Sequence, residues 1–239
     1  MLSIWIGRAG SGKSARVLET IQRERENRPQ LLLVPEHTSH EAELDLCRFC
    51  GPTACRSAEV LTFQSLATRV LGETGGLADV TLDNGGKLLT MRRCLQELHT
   101  QLKVFGRPSQ RSAFLHQLTT LADEFYAYQI APETLYHHVE DMEGAMGDKL
   151  RDVALIFAAY DAKLRHGGTD TRSRVQKLHD SLPQSHYLDG KDLYLDGFSF
   201  FNRQEESVLA LALRRCASVA VTLLGDKTGQ QFQNAAAQK

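Results

Sequence analysis

Leu2-Ser3-Ile4-Trp5-Ile6 runs directly into Gly7-Arg8-Ala9-Gly10-Ser11-Gly12-Lys13-Ser14, and an amphipathic stretch then continues to Glu26. The first five residues read as an apolar strand, and the last stretch has helical spacing from Lys13. The octet between them satisfies G-x-x-x-x-G-K-[ST] in full. Glycines let successive main-chain N–H groups curl around phosphate oxygens, and a helix starting near Lys13 adds the positive end of its dipole. Lys13 is placed to reach β- and γ-phosphates, while the Ser14 hydroxyl suits Mg2+. The expectation is a nucleotide-phosphate site made by Gly7, Gly10, Ser11, Gly12, Lys13 and Ser14.

Outward from this loop, the same texture recurs at both ends of the chain. Leu31-Leu32-Leu33-Val34 is a short apolar run stopped by Pro35, followed by a helical pattern over Glu41 to Phe49. Glu59 to Phe63 is a third strand candidate, leading into a helix through Leu66, Val70 and Leu71. From about Thr74 to Ser185 the strands vanish and Leu88, Met91, Leu95 and Leu98, then Phe114, Leu118, Leu121 and Phe125, recur at helical spacing. A further stripe, Leu150 to Leu164, has Asp148 before it as a cap and Gly167-Gly168 after it as a stop. Strands return with Asp192 to Asp196 and Ser218 to Leu224, with a helix over Glu205 to Arg215 between them. Alternation of this kind implies a parallel sheet with right-handed crossovers. The sequence therefore predicts an α/β domain split into residues 1–73 and 186–239, with residues 74–185 as an all-helical insertion. The polar end, Gln230 to Lys239, has no core pattern.

A phosphate loop needs a second acid for magnesium, at the end of another buried strand. Leu193-Tyr194-Leu195-Asp196 supplies it, which makes Asp196 the magnesium acid and, with Lys13, the catalytic candidate. Asp189 and Asp192 precede the apolar run and read as turn residues. The next position is Gly197, where many ATP-hydrolysing proteins place a glutamate that activates water. Losing a positioned general base costs roughly 10²–10⁴ in rate, so ATP binding is expected and fast hydrolysis is not.

Composition narrows the class. In 239 residues, Lys+Arg 28 against Asp+Glu 29 gives a formal charge of -1, which excludes affinity for nucleic acid through bulk charge but leaves a local basic groove open. No apolar run approaches the ~20 residues of a membrane span, and Met1 to Ile6 is too short for a signal peptide. Five cysteines is an odd count that does not fit a secreted disulfide framework. These features point to the cytoplasm. Cys47, Cys50 and Cys55, with His37 and His40 upstream, have the residue types of a zinc site. Cys47 and Cys50 close a helical pattern, however, and no second C-x-x-C pair follows, so free thiols are the simpler reading.

The order of the phosphate loop, Val34-Pro35-Glu36, Ala58-Glu59-Val60-Leu61-Thr62-Phe63, Leu195-Asp196-Gly197-Phe198 and Leu223-Leu224-Gly225-Asp226 resembles the first motor domain of superfamily 1 helicases. More closely, it is similar to the amino-terminal region of the AddB (RexB) family, the B subunits of bacterial ATP-dependent helicase–nucleases. The resemblance covers nearly the whole chain and is loosest in the helical insert. It implies a RecA-like P-loop NTPase sheet, ATP and Mg2+, a partner A subunit, and single- and double-stranded DNA as the other partners. It also implies end resection for recombination and repair, and a carboxy-terminal nuclease domain with an iron–sulfur cluster. That domain does not fit within 239 residues, so the chain is expected to be the front piece of a longer protein.

The departures from active helicases agree with one another: Gly197 for glutamate, Ser199 for glutamine, and Gly229 rather than glutamine after Gly225-Asp226, with Gln230 one place late. The resemblance places single-strand contacts at Thr38 and Ser39, beside His37, and at Thr62, Phe63 and Gln64. Phe63 is either a base-stacking platform or a core residue. Arg92-Arg93 and Arg107 to Arg111 are either phosphate contacts or solvated helix faces. Two other readings stay open: a small-molecule or nucleotide kinase with a helical lid, for which His166 to Arg172 holds the nearest candidates, and a non-catalytic nucleotide-binding scaffold. A GTPase lacks support because no N-K-x-D motif follows the last strand.

Overall fold

The computed structural model describes residues 1–51, 58–76, 82–106, 112–166 and 174–225. Its strands are β1 (Leu2–Gly7), β2 (Gln30–Leu33), β3 (Ala58–Leu61), β4 (Asp192–Leu195) and β5 (Ser218–Leu224). They form one sheet in the order β1-β5-β4-β2-β3, with every pairing parallel. The helices, in chain order, are α1 (Lys13–Glu24), α2 (Ser39–Cys50), α3 (Phe63–Thr74), α4 (Asn84–Leu98), α5 (Ser112–Ala127), α6 (Pro132–Val139), α7 (Gly144–His166), α8 (Arg174–Ser181) and α9 (Arg203–Arg215).

The five expected runs correspond to the five strands, with Val34 and Asp196 just past the ends of β2 and β4, and with Thr62 and Phe63 leaving β3 to open α3. The reason is local. The Thr62 hydroxyl accepts from the Ser65 N–H (3.2 Å) and the Ser65 hydroxyl accepts from the Thr62 N–H (2.7 Å), a reciprocal cap that starts the helix at Phe63. Strands β2 and β4 are buried at every position because helices cover both faces, which is why their sequences are continuous apolar runs.

From β1 to β2 and on to β3 the chain steps one way across the sheet. Helices α1 and α2 lie on that face, where Val17, Ile21 and Leu46 meet Leu32, Tyr194 and Ala220. From β3 back to β4 and β5 it steps the other way, with α3, α8 and α9 on the opposite face and Leu66, Leu178 and Val208 against Leu31, Leu33 and Leu195. Right-handed crossovers require this change of face with direction.

Among the described residues, strand β1 is an edge of the sheet. The Val219 N–H donates to the Met1 carbonyl (2.8 Å) and the Gly225 N–H to the Gly7 carbonyl (3.2 Å), so odd-numbered residues bond to β5. The main-chain groups of Leu2, Ile4 and Ile6 therefore point outward. Their side chains share the face of Val219 and Val221 but remain 49%, 52% and 53% exposed.

The chain divides into two compact units, Met1–Leu77 with Arg174–Lys239, and Ala78–Ser173. Residues 174–185, expected inside the helical insert, group with the sheet. Val175, Leu178 and Leu182 belong to the same core as Leu66 and Val70. Polar ties reinforce this: Glu73 accepts from the Ser185 hydroxyl and from the His186 N–H (3.1 Å), and the Tyr187 hydroxyl donates to Glu59 (2.6 Å).

The second unit contains α4 to α7 around Met91, Leu95, Leu118, Ile156, Phe157 and Tyr160. Helix α7 begins at Gly144, so Asp148 lies inside it rather than capping it, paired with Arg151 (2.7 Å) and Lys103 (2.9 Å). One turn on, buried Asp152 accepts from three successive N–H groups, those of Lys103 (3.0 Å), Val104 (2.7 Å) and Phe105 (2.9 Å). The stop expected at Gly167-Gly168 and the polar end Gln230 to Lys239 lie outside the described residues. No helix among the described residues is long and apolar enough to cross a membrane.

Candidate nucleotide site

In a parallel sheet all strands end at one edge, so Gly7 and Leu61, which end their strands, and Val34, Asp196 and Gly225, which follow theirs, reach the same rim. Strand β1 delivers the glycine loop there and α1 takes the chain away. Gly10 and Gly12 have φ of 73° and 83°, values that L-residues with a Cβ rarely adopt. A Cβ built on either would meet nothing within 4 Å, so the space above the loop is open. The Arg16 N–H donates to the Gly12 carbonyl (2.9 Å), which starts α1 with its unpaired N–H groups aimed at that space.

Lys13 folds back over the loop. Its Nζ donates to the carbonyls of Gly7 and Arg8, both at 2.8 Å, and reaches the Ser11 Oγ at 3.4 Å. An ammonium group held over main-chain carbonyls can turn to a better acceptor such as a phosphate oxygen. Ser14, in the first turn of α1, is exposed, so its hydroxyl is accessible to a ligand.

Asp196 follows β4 directly and is half-buried. Its N–H donates to the Leu33 carbonyl (3.1 Å), and its Oδ1 accepts from the Thr222 hydroxyl on β5 (2.6 Å). Thr222 is a site residue that the sequence reading misses, although a polar residue inside the apolar run Val219 to Leu224 is a usable signal. The two rivals sit elsewhere. Asp192 opens β4 at the opposite end and is bonded to Ser218 (2.6 Å), while Asp189 is held below the usual carboxylate range by His186 and Arg215.

Gly197 has φ of 80°, and a Cβ there would lie 3.4 Å from Pro35 Cδ. The position is shaped for glycine. Ser199 is exposed. Asp226, Gly229 and Gln230 lie outside the described residues.

An open cleft of about 970 Å³ starts at Gly7, Ser11 and Lys13 and runs along the free edge of β1 past Ile4 and Ile6. Trp5 and Arg16 also line it, with the Arg16 guanidinium carbon 4.7 Å from the centre of the Trp5 ring. The sequence signal for this pair is spacing: Trp5 lies two residues before the loop and Arg16 one turn after Lys13.

The residues expected to contact single-stranded DNA reach the same rim but differ in availability. Phe63 is 5% exposed and its ring packs edge-to-face on Phe198, 5.7 Å between centres, so it is a core residue rather than a stacking platform. Thr62 is buried as the cap of α3. The hydroxyls of Thr38 and Ser39 donate to their own turn, at the Pro35 and Glu36 carbonyls (3.0 Å each). Gln64 is exposed. Arg93 pairs with Glu97 (3.2 Å) on a solvated face of α4. Arg107 to Arg111, Cys55 and residues 167–172 of the lid candidate lie outside the described residues.

No metal-holding group of three or more His, Cys, Asp or Glu residues occurs among the described residues. Cys50 is buried, with its thiol pKa raised by burial, and its Sγ lies 3.7 Å from the Leu18 carbonyl.

The family model described as "ADDB, N-terminal" matches residues 4–238. The chain is 34% identical over 238 residues to the B subunit of the ATP-dependent helicase/deoxyribonuclease of Geobacillus thermodenitrificans, covering 95% of this chain and 20% of that one. It is 32% identical over 237 residues to the protein of the same name from Clostridium tetani, covering 95% and 21%. Another of that name, from Clostridium botulinum, is 32% identical over 228 residues, covering 94% and 20%. The chain thus spans about a fifth of the length of these relatives. With the match running through loop, sheet and helical unit alike, the chain belongs to the AddB amino-terminal family of helicase–nuclease B subunits.

Proposed function

We propose that this chain is a RecA-like, P-loop ATP-binding domain acting within an ATP-dependent helicase/deoxyribonuclease, with little or no motor activity of its own. The observation that carries the reading is the loop between β1 and α1. Two left-handed glycines leave the space above the loop open, and Lys13 is held on carbonyls from which a phosphate chain can draw it. Strand order supports the same reading, because β5 separates the loop strand from the acid strand and brings Thr222 to orient Asp196.

Magnesium and ATP fit the donor set. A hard cation bound between phosphates needs only one or two protein oxygens and keeps waters for the rest. Ser14 and Asp196 would hold it, and Gly7, Gly10, Ser11, Gly12 and Lys13 would hold the phosphates. Bound Mg2+ would neutralise developing charge on the phosphate oxygens. The chain's own contribution stops short of water activation, because Gly197 has no side chain to accept a proton. Membership of the family supports the remaining parts of the proposal: an A subunit as partner, single- and double-stranded DNA as substrates, and double-strand end resection in recombination and repair. Gln64, Thr38 and Ser39 are the remaining candidates for strand contact at the rim.

Titration calorimetry with MgATP tests the reading. The chain should bind, Lys13→Ala should lose at least tenfold in affinity, and turnover should stay near background with or without single-stranded DNA. Phosphorylation of an added metabolite, or binding indifferent to Lys13→Ala, would overturn it.

A further inference from the structure

We infer that Trp5 and Arg16 form the nucleoside half of the site, the base of the bound nucleotide stacking on the outer face of the Arg16 guanidinium. This rests on the nucleotide reading above and extends it from the phosphates to the base. Direction comes first. Asp196 and Thr222 lie on the β5 and β4 side of the loop, so the magnesium end of a triphosphate turns inward over the sheet. The nucleoside end must then leave the loop the other way, past β1. Nothing among the described residues lies beyond β1 in the sheet.

The cleft runs in that direction. Its volume of about 970 Å³ is continuous from the phosphate loop to Trp5 and Arg16, within the range of roughly 300–1,000 Å³ usual for small-molecule sites. Arg16 follows Lys13 by one helical turn and so projects from the same side of α1. Its guanidinium carbon lies over the Trp5 ring, 4.7 Å from the centre, and the residue is exposed. No carboxylate pairs with Arg16 among the described residues. An exposed arginine seated over an aromatic ring, with no acid partner among the described residues, can stack its planar group against another flat π-system. Guanidinium groups stack in this way, and lysine does not.

The test separates base from phosphates. Inorganic tripolyphosphate has the phosphate chain and no base, while ATP has both. Arg16→Lys keeps the charge and removes the planar face. Its affinity for ATP should fall about tenfold while its affinity for tripolyphosphate stays unchanged. Trp5 is the chain's single tryptophan, so its emission should respond to ATP and not to tripolyphosphate. Equal effects of Arg16→Lys on the two ligands, or silent Trp5 emission during Lys13-dependent ATP binding, would overturn the base subsite and leave the phosphate site standing. Failure of the unaltered chain to bind either ligand would remove both.

Discussion

Gly197 sits directly after Asp196, the proposed magnesium ligand, in a left-handed conformation and close against Pro35. A side chain there strains the backbone by about 1–2 kcal/mol. Gly197→Ala should therefore lower thermal stability, and Gly197→Asn, which tolerates that conformation better, should lower it less. Gly197→Glu should lose stability and still show no ATP turnover, because a glutamate forced into this backbone does not inherit the placement of a general base. A turnover assay on a folded Gly197→Glu chain checks the second point, and recovered hydrolysis would show that the missing carboxylate was the only defect. The residue scale also shows where the sequence is ambiguous. Phe63 reads equally as a base platform or as core from its neighbours alone, and only the position of Phe198 decides between them.

Among elements, helix α7 works as a clamp as well as a core helix. Asp152 holds three N–H groups of the segment after α4 with the two oxygens of one buried carboxylate. Asp152→Ala should cost about 1–3 kcal/mol, because it removes the shared acceptor of three part-buried N–H groups that water can only partly replace. Asp152→Asn keeps one carbonyl oxygen and should cost less. Urea unfolding gives the difference, and hydrogen exchange at Lys103, Val104 and Phe105 should quicken in the alanine variant. The strands and most helices are legible from the sequence because burial imposes a period: continuous apolar runs where helices cover both faces, and helical stripes elsewhere. Attachment is less legible. The pattern Val175, Leu178, Leu182 is a good helix face in either unit, and nothing local says that its partners are Leu66 and Val70 rather than the helical insert. Asp148 misleads for a similar reason, since an acid one turn inside a helix and an acid capping one look alike until the start at Gly144 is seen.

At the scale of the whole molecule, a formal charge of -1 leaves little mutual repulsion between copies. Strand β1 adds an uncharged six-residue edge, with outward main-chain groups and three half-exposed aliphatic side chains. Edges of this kind recruit other strands unless charge, proline or a covering element blocks them. Light scattering near neutral pH should show an apparent mass that rises with concentration, and Ile4→Lys, which puts a charge on that edge, should suppress the rise. The same strand carries the glycine loop and borders the cleft. A second copy seated on it would compete with ligand, so by mass action the apparent nucleotide affinity should weaken as the protein is concentrated. Ligand in turn should act as a solubiliser, dispersing the chain in proportion to how fully the cleft is filled.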